Sequence, residues 1–367
     1  MEGRQVSSLR ALVVGSGFGC RIQAPALRGA GFEVAGLVGA DPVRTAQRAA
    51  RSGIARSFID LDEAIGQTGA TVVAIATPPA THGPLTLAAL ARGCHVLCEK
   101  PFATNLAEAR AMLEAAQRAG VVHMIGHEFR FVPQRALFGR AIREGAVGEP
   151  RFVSFVEFSD FLASYAANMP AWWFDPAAGG GWLGASGSHI IDQIRSEVGE
   201  FASVSAALPR VSAAAAGVED SFVVRFQLAN GAEGVIQQTS GALGPRSRLY
   251  RVAGTAGSLW TEGEAVWAAG PDGARELSTP AELALPEPPP ASQDPRQERA
   301  DWKRMTAVEL APYTQLCLRL KRAIQGDVDH VGPQPATFAD GVACMAVIDA
   351  IRDSAAQGGA LVKVAAA

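Results

Sequence analysis

The sequence predicts an α/β protein: an N-terminal doubly wound parallel sheet followed by an α+β domain on an open, mostly antiparallel sheet. Three observations carry this. A short apolar strand over residues 9–14 runs directly into Gly15-Ser16-Gly17-Phe18-Gly19-Cys20 and a helix-compatible stretch. Apolar runs of strand length then alternate with helical segments up to about residue 130. After Gly148-Glu149-Pro150 the pattern becomes apolar/polar alternation, interrupted by Asn230-Gly231 and Gly254-Thr255-Ala256-Gly257.

The chain has 367 residues, 48% of them hydrophobic, enough for two domains with substantial cores, read as 1–130 and 131–367. A formal net charge of −3 argues against a nucleic-acid binder or an anionic-membrane binder. Five scattered cysteines fit reduced thiols better than a disulfide framework. Cys94 and Cys98 flank His95, but strand alternation puts Cys94 and His95 on opposite faces, so no metal site is expected. Residues 1–10 lack an apolar signal core, and no run reaches the ~18–20 apolar residues of a membrane span. A soluble, cytoplasmic protein is expected.

Strand, glycine turn and helix is the arrangement that binds a dinucleotide. Gly15 permits the tight turn, and Gly17 lets the backbone approach a pyrophosphate. Phe18 and Gly19 complete the loop, and the following helix, over 21–29, offers N–H groups and positive dipole. The third glycine of the usual pattern falls at Cys20. A second strand, 33–38, ends in Val38-Gly39-Ala40-Asp41-Pro42. The acid expected there for the ribose hydroxyls is replaced by Gly39. Asp41 reads most simply as a helix N-cap with Pro42 behind it. Arg44 is positioned to meet a 2′-phosphate or to be a solvated helix arginine. The balance favours NADP(H) over NAD(H).

The strand at 71–76 is continuous, apolar and β-branched, the buried parallel type. It ends in Thr77-Pro78-Pro79-Ala80-Thr81-His82, a rigid turn at the carboxyl edge where ligands sit. Thr77, Pro78 and His82 are therefore cofactor-side candidates. A helix over 85–92 leads to the strand 94–98, which runs into Glu99-Lys100-Pro101. Pro101 ends the strand, leaving Glu99 and Lys100 at the ligand edge. Taken alone this is a strand-end salt bridge. A further strand, 121–125, exits through Gly126-His127-Glu128-Phe129-Arg130-Phe131.

In the second half, strands are expected at 151–159, 218–228, 233–239, 248–253 and 258–261, helices near 312–324 and 337–356, and a mobile loop at 285–299. One sheet face needs cover, and subunit contacts are a natural use of it. The densest signal is Gly179-Gly180-Gly181-Trp182-Leu183-Gly184-Ala185-Ser186-Gly187-Ser188-His189-Ile190-Ile191-Asp192. The glycines point to close approach of backbone to a ligand or a neighbouring element. His189 and Asp192, three apart on a helix, share a face. Alone, His189 reads more readily as a satisfied core histidine than as a catalyst. Trp172-Trp173-Phe174 and Trp182 read either as core or as an apolar wall for a sugar ring.

Together, Gly15-Ser16-Gly17, Ala76-Thr77-Pro78-Pro79, Glu99-Lys100-Pro101 and the Gly-Gly-Gly to His189/Asp192 stretch resemble the Gfo/Idh/MocA family of nicotinamide-dependent oxidoreductases. The resemblance implies a Rossmann domain, an open-faced sheet domain, a nicotinamide between them, and a homodimer or homotetramer. It also implies that Lys100 and His189 face a sugar, polyol or related cyclic substrate, with Arg130, Trp172 and Asp192 around it. His189 then has the intrinsic pKa of a general base, Lys100 stabilises a developing alkoxide, and Glu99 anchors Lys100 or touches the nicotinamide side. One departure stands out. The family usually has an aspartate four residues before the histidine, and that position is Ala185. Glu128, Glu157, Asp160 and Asp175 are the candidate substitutes. The gap leaves room for a redox-neutral reaction through transient oxidation. A non-catalytic sensor is disfavoured because both Lys100 and His189 are kept.

Overall fold

The computed structural model describes residues 9–366 except 216, 292–299 and 328–331. Strands β1 (Arg10–Val14), β2 (Glu33–Val38), β3 (Ser57–Phe58), β4 (Val72–Ile75), β5 (His95–Cys98) and β6 (His123–Ile125) form one sheet in the order β3-β2-β1-β4-β5-β6. Every neighbour pair is parallel. The order reverses between β1 and β4, so a ligand crevice opens at their carboxyl ends.

The sheet is buried on both faces, which is why its strands read as unbroken apolar runs. Leu12, Val14, Val73, Ile75 and Val96 face one core, which continues into the second half of the molecule. Ala11, Val13, Leu37, Val72 and Leu97 face the other. That second core is closed by a helix from far along the chain, Ala300–Ile324, through Leu310, Tyr313, Leu316, Cys317 and Leu320. Their spacing of three and four makes one apolar stripe, and each large side chain fully buried contributes about 1.5–3 kcal/mol. This corrects the expected start near 312. Pro312 lies inside the helix, not at its head. The buried stripe on either side outweighs the hydrogen bond that proline cannot donate.

The second sheet comprises β7 (Pro150–Phe158), β8 (Phe201–Ala207), β9 (Ser221–Leu228), β10 (Glu233–Thr239), β11 (Ser247–Gly254), β12 (Ser258–Glu262), β13 (Ala265–Gly270), β14 (Gly273–Leu277) and β15 (Val362–Lys363). Their order is β14-β13-β12-β11-β7-β10-β9-β8-β15. Seven of the eight neighbour pairs are antiparallel and one, β7 with β10, is parallel. The helix Phe338–Ala356 opens on a Thr337/Asp340 capping box. It and the helix Ser188–Glu197 supply apolar side chains to the core beneath this sheet. The opposite face is open. It presents Phe152, Val223 and Leu249, 54%, 42% and 41% exposed, and a stacked Trp260–Trp267 pair. Of the loop expected at 285–299, residues 285–291 have no regular structure and the remainder lies outside the described residues.

Candidate active site

The glycine turn follows β1 as expected. Gly15 sits at φ +112°, and a Cβ there would stand 2.3 Å from the Ala76 carbonyl oxygen, so only glycine fits. Gly17 has no atom within 4 Å of where a Cβ would be, leaving bare backbone for a phosphate to approach. Cys20 is buried in the same core as Val13 and Leu27. Just before it, a Cβ on Gly19 would meet Val13 Cγ1 at 2.6 Å. The chain then takes one wide turn, Gly19–Gln23, before the helix Ala24–Gly29. Open backbone at a switch point and a tight glycine turn fit a dinucleotide.

At the end of β2, Gly39 packs on Thr45, whose Oγ1 a Cβ would strike at 2.4 Å. A side chain there, acid included, would require Thr45 to move. Asp41 caps the next helix by accepting from Arg44 N–H at 2.7 Å. The Arg44 guanidinium is exposed and 3.7 Å from Asp41. Arg48, one turn on, reaches the glycine turn instead and donates to Ser16 O and Oγ at 2.8 and 3.0 Å.

Glu99 is 6% exposed at the end of β5. Its Oε1 accepts from Tyr313 Oη at 2.6 Å and from Gln23 Nε2 at 3.3 Å. Its Oε2 accepts from the Lys100 backbone N–H at 3.3 Å. Burial pushes this carboxyl up to about 7, against the opposing pull of the Lys100 charge and the Tyr313 hydrogen bond. Glu128, also buried, is pushed well above the ordinary range by desolvation and by Glu99, and among the described residues its Oε2 has no hydrogen-bond partner.

Lys100 turns from Glu99 to the other domain. Its Nζ donates to Ala185 O at 3.0 Å. The residue that lacks the family's carboxylate thus offers its carbonyl to the lysine. The triple glycine before it is explained by neighbouring elements. A Cβ on Gly180 would lie 2.5 Å from Trp172 O, and one on Gly181 2.3 Å from Glu219 Oε1.

His189 is buried, four residues after Ala185. Its ring lies 4.5 Å from Phe129 and 5.3 Å from His127, and its Nδ1 is 3.5 Å from His127 Nδ1. Burial, then the charge of Lys100, holds its pKa well below the ordinary histidine value. His127 is held down at about 4, chiefly by burial. None of the four candidate acids reaches His189. Glu157 pairs with Arg246 and Arg248 at 2.5 and 3.3 Å, Asp160 accepts from Ser164, and Asp175 accepts from Ala177 N–H. Glu128 is the fourth, its Oε2 unpartnered among the described residues. Among the described residues, the imidazole's polar neighbour is another imidazole. His127 in turn offers a ring nitrogen within 4.8 Å of an Asp192 oxygen and of Cys344 Sγ.

The other sequence candidates divide. Arg130 and Asp192 face each other in a bidentate pair at 2.5 and 2.7 Å, with Asp340 2.8 Å from the same guanidinium. His82 is fully buried, Nδ1 3.0 Å from Pro101 O and Nε2 2.9 Å from Thr77 O, so it clamps the two turns at the sheet edge. Thr77 accepts from Thr81 at 2.7 Å beside Pro78. Phe18 packs edge-on against Tyr313. Trp172 lies 5.4 Å from Trp173, while Trp182 and Phe161 line a cavity of about 240 Å³ that reaches His189. A second cavity of about 480 Å³ is bounded by His127, Arg130, Arg135, His189 and Asp192. Sequence reasoning missed Tyr313, Gln23, His127 and Arg135. The Gly-His-Glu-Phe-Arg-Phe exit from β6 was the signal for His127, since a histidine at a parallel strand's carboxyl end lies at the ligand edge.

A doubly wound nucleotide domain whose sheet edge carries a lysine, turned toward a histidine on a helix packed beneath a second, open-faced sheet, defines a dinucleotide-dependent oxidoreductase. Residues 9–127 match the oxidoreductase family with NAD-binding Rossmann fold (GFO_IDH_MocA), and residues 138–260 the GFO/IDH/MocA C-terminal domain. The chain belongs to the Gfo/Idh/MocA family. It is 34% identical over 247 residues to levoglucosan dehydrogenase of Pseudarthrobacter phenanthrenivorans, covering 60% of this chain and 62% of that protein. It is 33% identical over 241 residues to 1,5-anhydro-D-fructose reductase of Ensifer adhaerens, covering 64% and 69%. The solved complex of levoglucosan dehydrogenase with NADH and levoglucosan superposes with TM-score 0.80 at 27% identity, over 98% of this chain and 99% of that one.

Proposed function

We propose that the protein transfers hydride between a nicotinamide cofactor and a secondary alcohol or ketone of a sugar, polyol or related cyclic substrate. The observation that carries this is the Lys100 ammonium fixed on Ala185 O, one turn before His189, beside a dinucleotide turn. The cofactor, when bound, accepts or returns the hydride. The chain's own groups handle the proton. His189, neutral throughout the physiological range, takes the hydroxyl proton, and His127 Nδ1 at 3.5 Å is its nearest relay. Lys100 stabilises charge on the substrate oxygen. Glu99, held by Tyr313 and Gln23, positions Lys100 from behind. Arg130 and Asp192 act as a pair, bracing the cavity wall on which the substrate rests.

Lys100→Met tests the assignment: turnover is lost while NADH or NADPH still binds. Unchanged turnover refutes it. Bare Gly39 and the Arg44/Arg48 helix support NADP(H) over NAD(H); the relatives' complexes contain NADH, and clearly tighter NADH binding in a fluorescence titration overturns the preference. The five buried cysteines, none in a disulfide, support a cytoplasmic location. The open apolar sheet face supports a homodimer or homotetramer. A second reading, redox-neutral conversion with transient oxidation, draws on the lack of a carboxylate beside His189. Steady nicotinamide absorbance during substrate conversion is its signature.

A further inference from the structure

Resting on the hydride-transfer reading above, we propose that the substrate carries an oxyanion, a carboxylate or a phosphate monoester, and that Arg135 receives it. Arg135 is the third residue of the helix Pro133–Arg143 and borders both cavities that reach His189. Its guanidinium lies 5.1 Å over the Phe129 ring, whose other neighbour, at 4.5 Å, is the His189 imidazole. The cation is therefore one ring away from the proposed base.

Among the described residues Arg135 has no hydrogen-bond or ion-pair partner. Several neighbouring arginines have one. Arg130 pairs with Asp192 and Asp340, Arg195 with Glu200, Arg21 with Glu309, and Arg246 and Arg248 share Glu157. Glu197 and Glu128, which face Arg135, do not neutralise it. Burial raises Glu197 to about 8, where it is bonded to Tyr250 and Gln193, and raises Glu128 well above the ordinary carboxylate range. Arg135 itself is lowered to about 10 by burial and by Arg248, and so remains a cation at neutral pH. Arg304 adds a further positive charge to the wall of the smaller cavity, where Glu157, Asp160 and Glu309 are already engaged.

A partly buried guanidinium with five donors and no acceptor is costly unless an acceptor arrives. Its planar fork matches a carboxylate or phosphate at two points. Phe129 holds the fork's face, which leaves its edge for the ligand. The substrate then has its anion at Arg135 and its reacting hydroxyl at His189.

The test pairs each neutral aldose or alditol with its uronate, its aldonate and its phosphate monoester. Affinity for the NADH- or NADPH-bound enzyme and kcat/KM are measured for wild type, Arg135→Met and Arg135→Lys. The expected result is a preference for the charged member that falls about 100-fold in Arg135→Met, the worth of one charge-assisted contact, and is partly kept in Arg135→Lys. The uronate and phosphate arms decide which oxyanion is native. Neutral sugars turned over as well as their charged partners would overturn this proposal and leave the hydride-transfer reading standing. So would a preference unaltered in Arg135→Met. Cofactor binding with no sugar of either class bound or converted would overturn both.

Discussion

Glu99→Gln isolates the buried carboxyl behind Lys100. In the folded protein this group titrates at about 7, against 4.5 for a free glutamate. A carboxyl raised on folding binds its proton more tightly in the native state. Its stabilising effect is complete below the unfolded value and is lost as pH rises through 7. At 1.36 kcal/mol per unit, the cost of ionising Glu99 in place is roughly 3 kcal/mol above pH 7. The substituted amide carries no charge and keeps an acceptor for Tyr313. Urea unfolding of both proteins at pH 5 and pH 8.5 measures the effect. The expected result is a gain for the variant at pH 8.5, relative to pH 5, of up to roughly 3 kcal/mol at unchanged m-value. Glu197 is raised too and titrates in both proteins, whereas Glu128 is raised in part by the Glu99 charge, so the difference between the two curves reports Glu99 together with its coupling to Glu128. Parallel pH dependence in the two would refute the burial argument.

Three further outcomes are expected. The His189 pKa is depressed, so kcat/KM for alcohol oxidation falls off only well below pH 6.5; an acid limb at 6.5 or above contradicts the site's electrostatics. Gly15→Ala places a Cβ 2.3 Å from Ala76 O at positive φ, and loses at least about 2 kcal/mol in thermal unfolding together with NADH binding; retention of both sinks the tight-turn assignment. Leu249→Glu with Trp260→Glu charges the open sheet face and yields a monomer by light scattering, and a wild type already monomeric removes the premise.

The nucleotide domain was readable because its strands are buried on both faces. Runs such as Thr71-Val72-Val73-Ala74-Ile75 carry that information locally, and Gly15 is dictated by a carbonyl it meets. The second sheet was legible as alternation only. Alternation specifies which face is wet and says nothing of which strand lies alongside, so the parallel join of β7 to β10 and the small-residue strand β8 did not show. Lys100 and His189 stood out through the segments that hold them. Tyr313 and Gln23 did not, because their meeting with Glu99 spans 214 and 76 residues of chain and depends on where a distant helix docks. Pro312 misled for a similar reason, since a proline at a helix start and one inside a well-packed helix look alike in one dimension.

The helix Ala300–Ile324 has a consequence for how such an enzyme can be taken apart. A fragment ending near residue 130 would contain the whole six-stranded sheet and every glycine of the turn. It would also take Leu310, Tyr313, Leu316, Cys317 and Leu320 out of the second core and leave the Glu99 carboxyl without its phenol. Swapping nucleotide domains between relatives therefore means carrying two separated pieces of sequence, the N-terminal third and this late helix. Cofactor preference grafted with the first alone would arrive without the phenol that hydrogen-bonds the carboxyl behind Lys100.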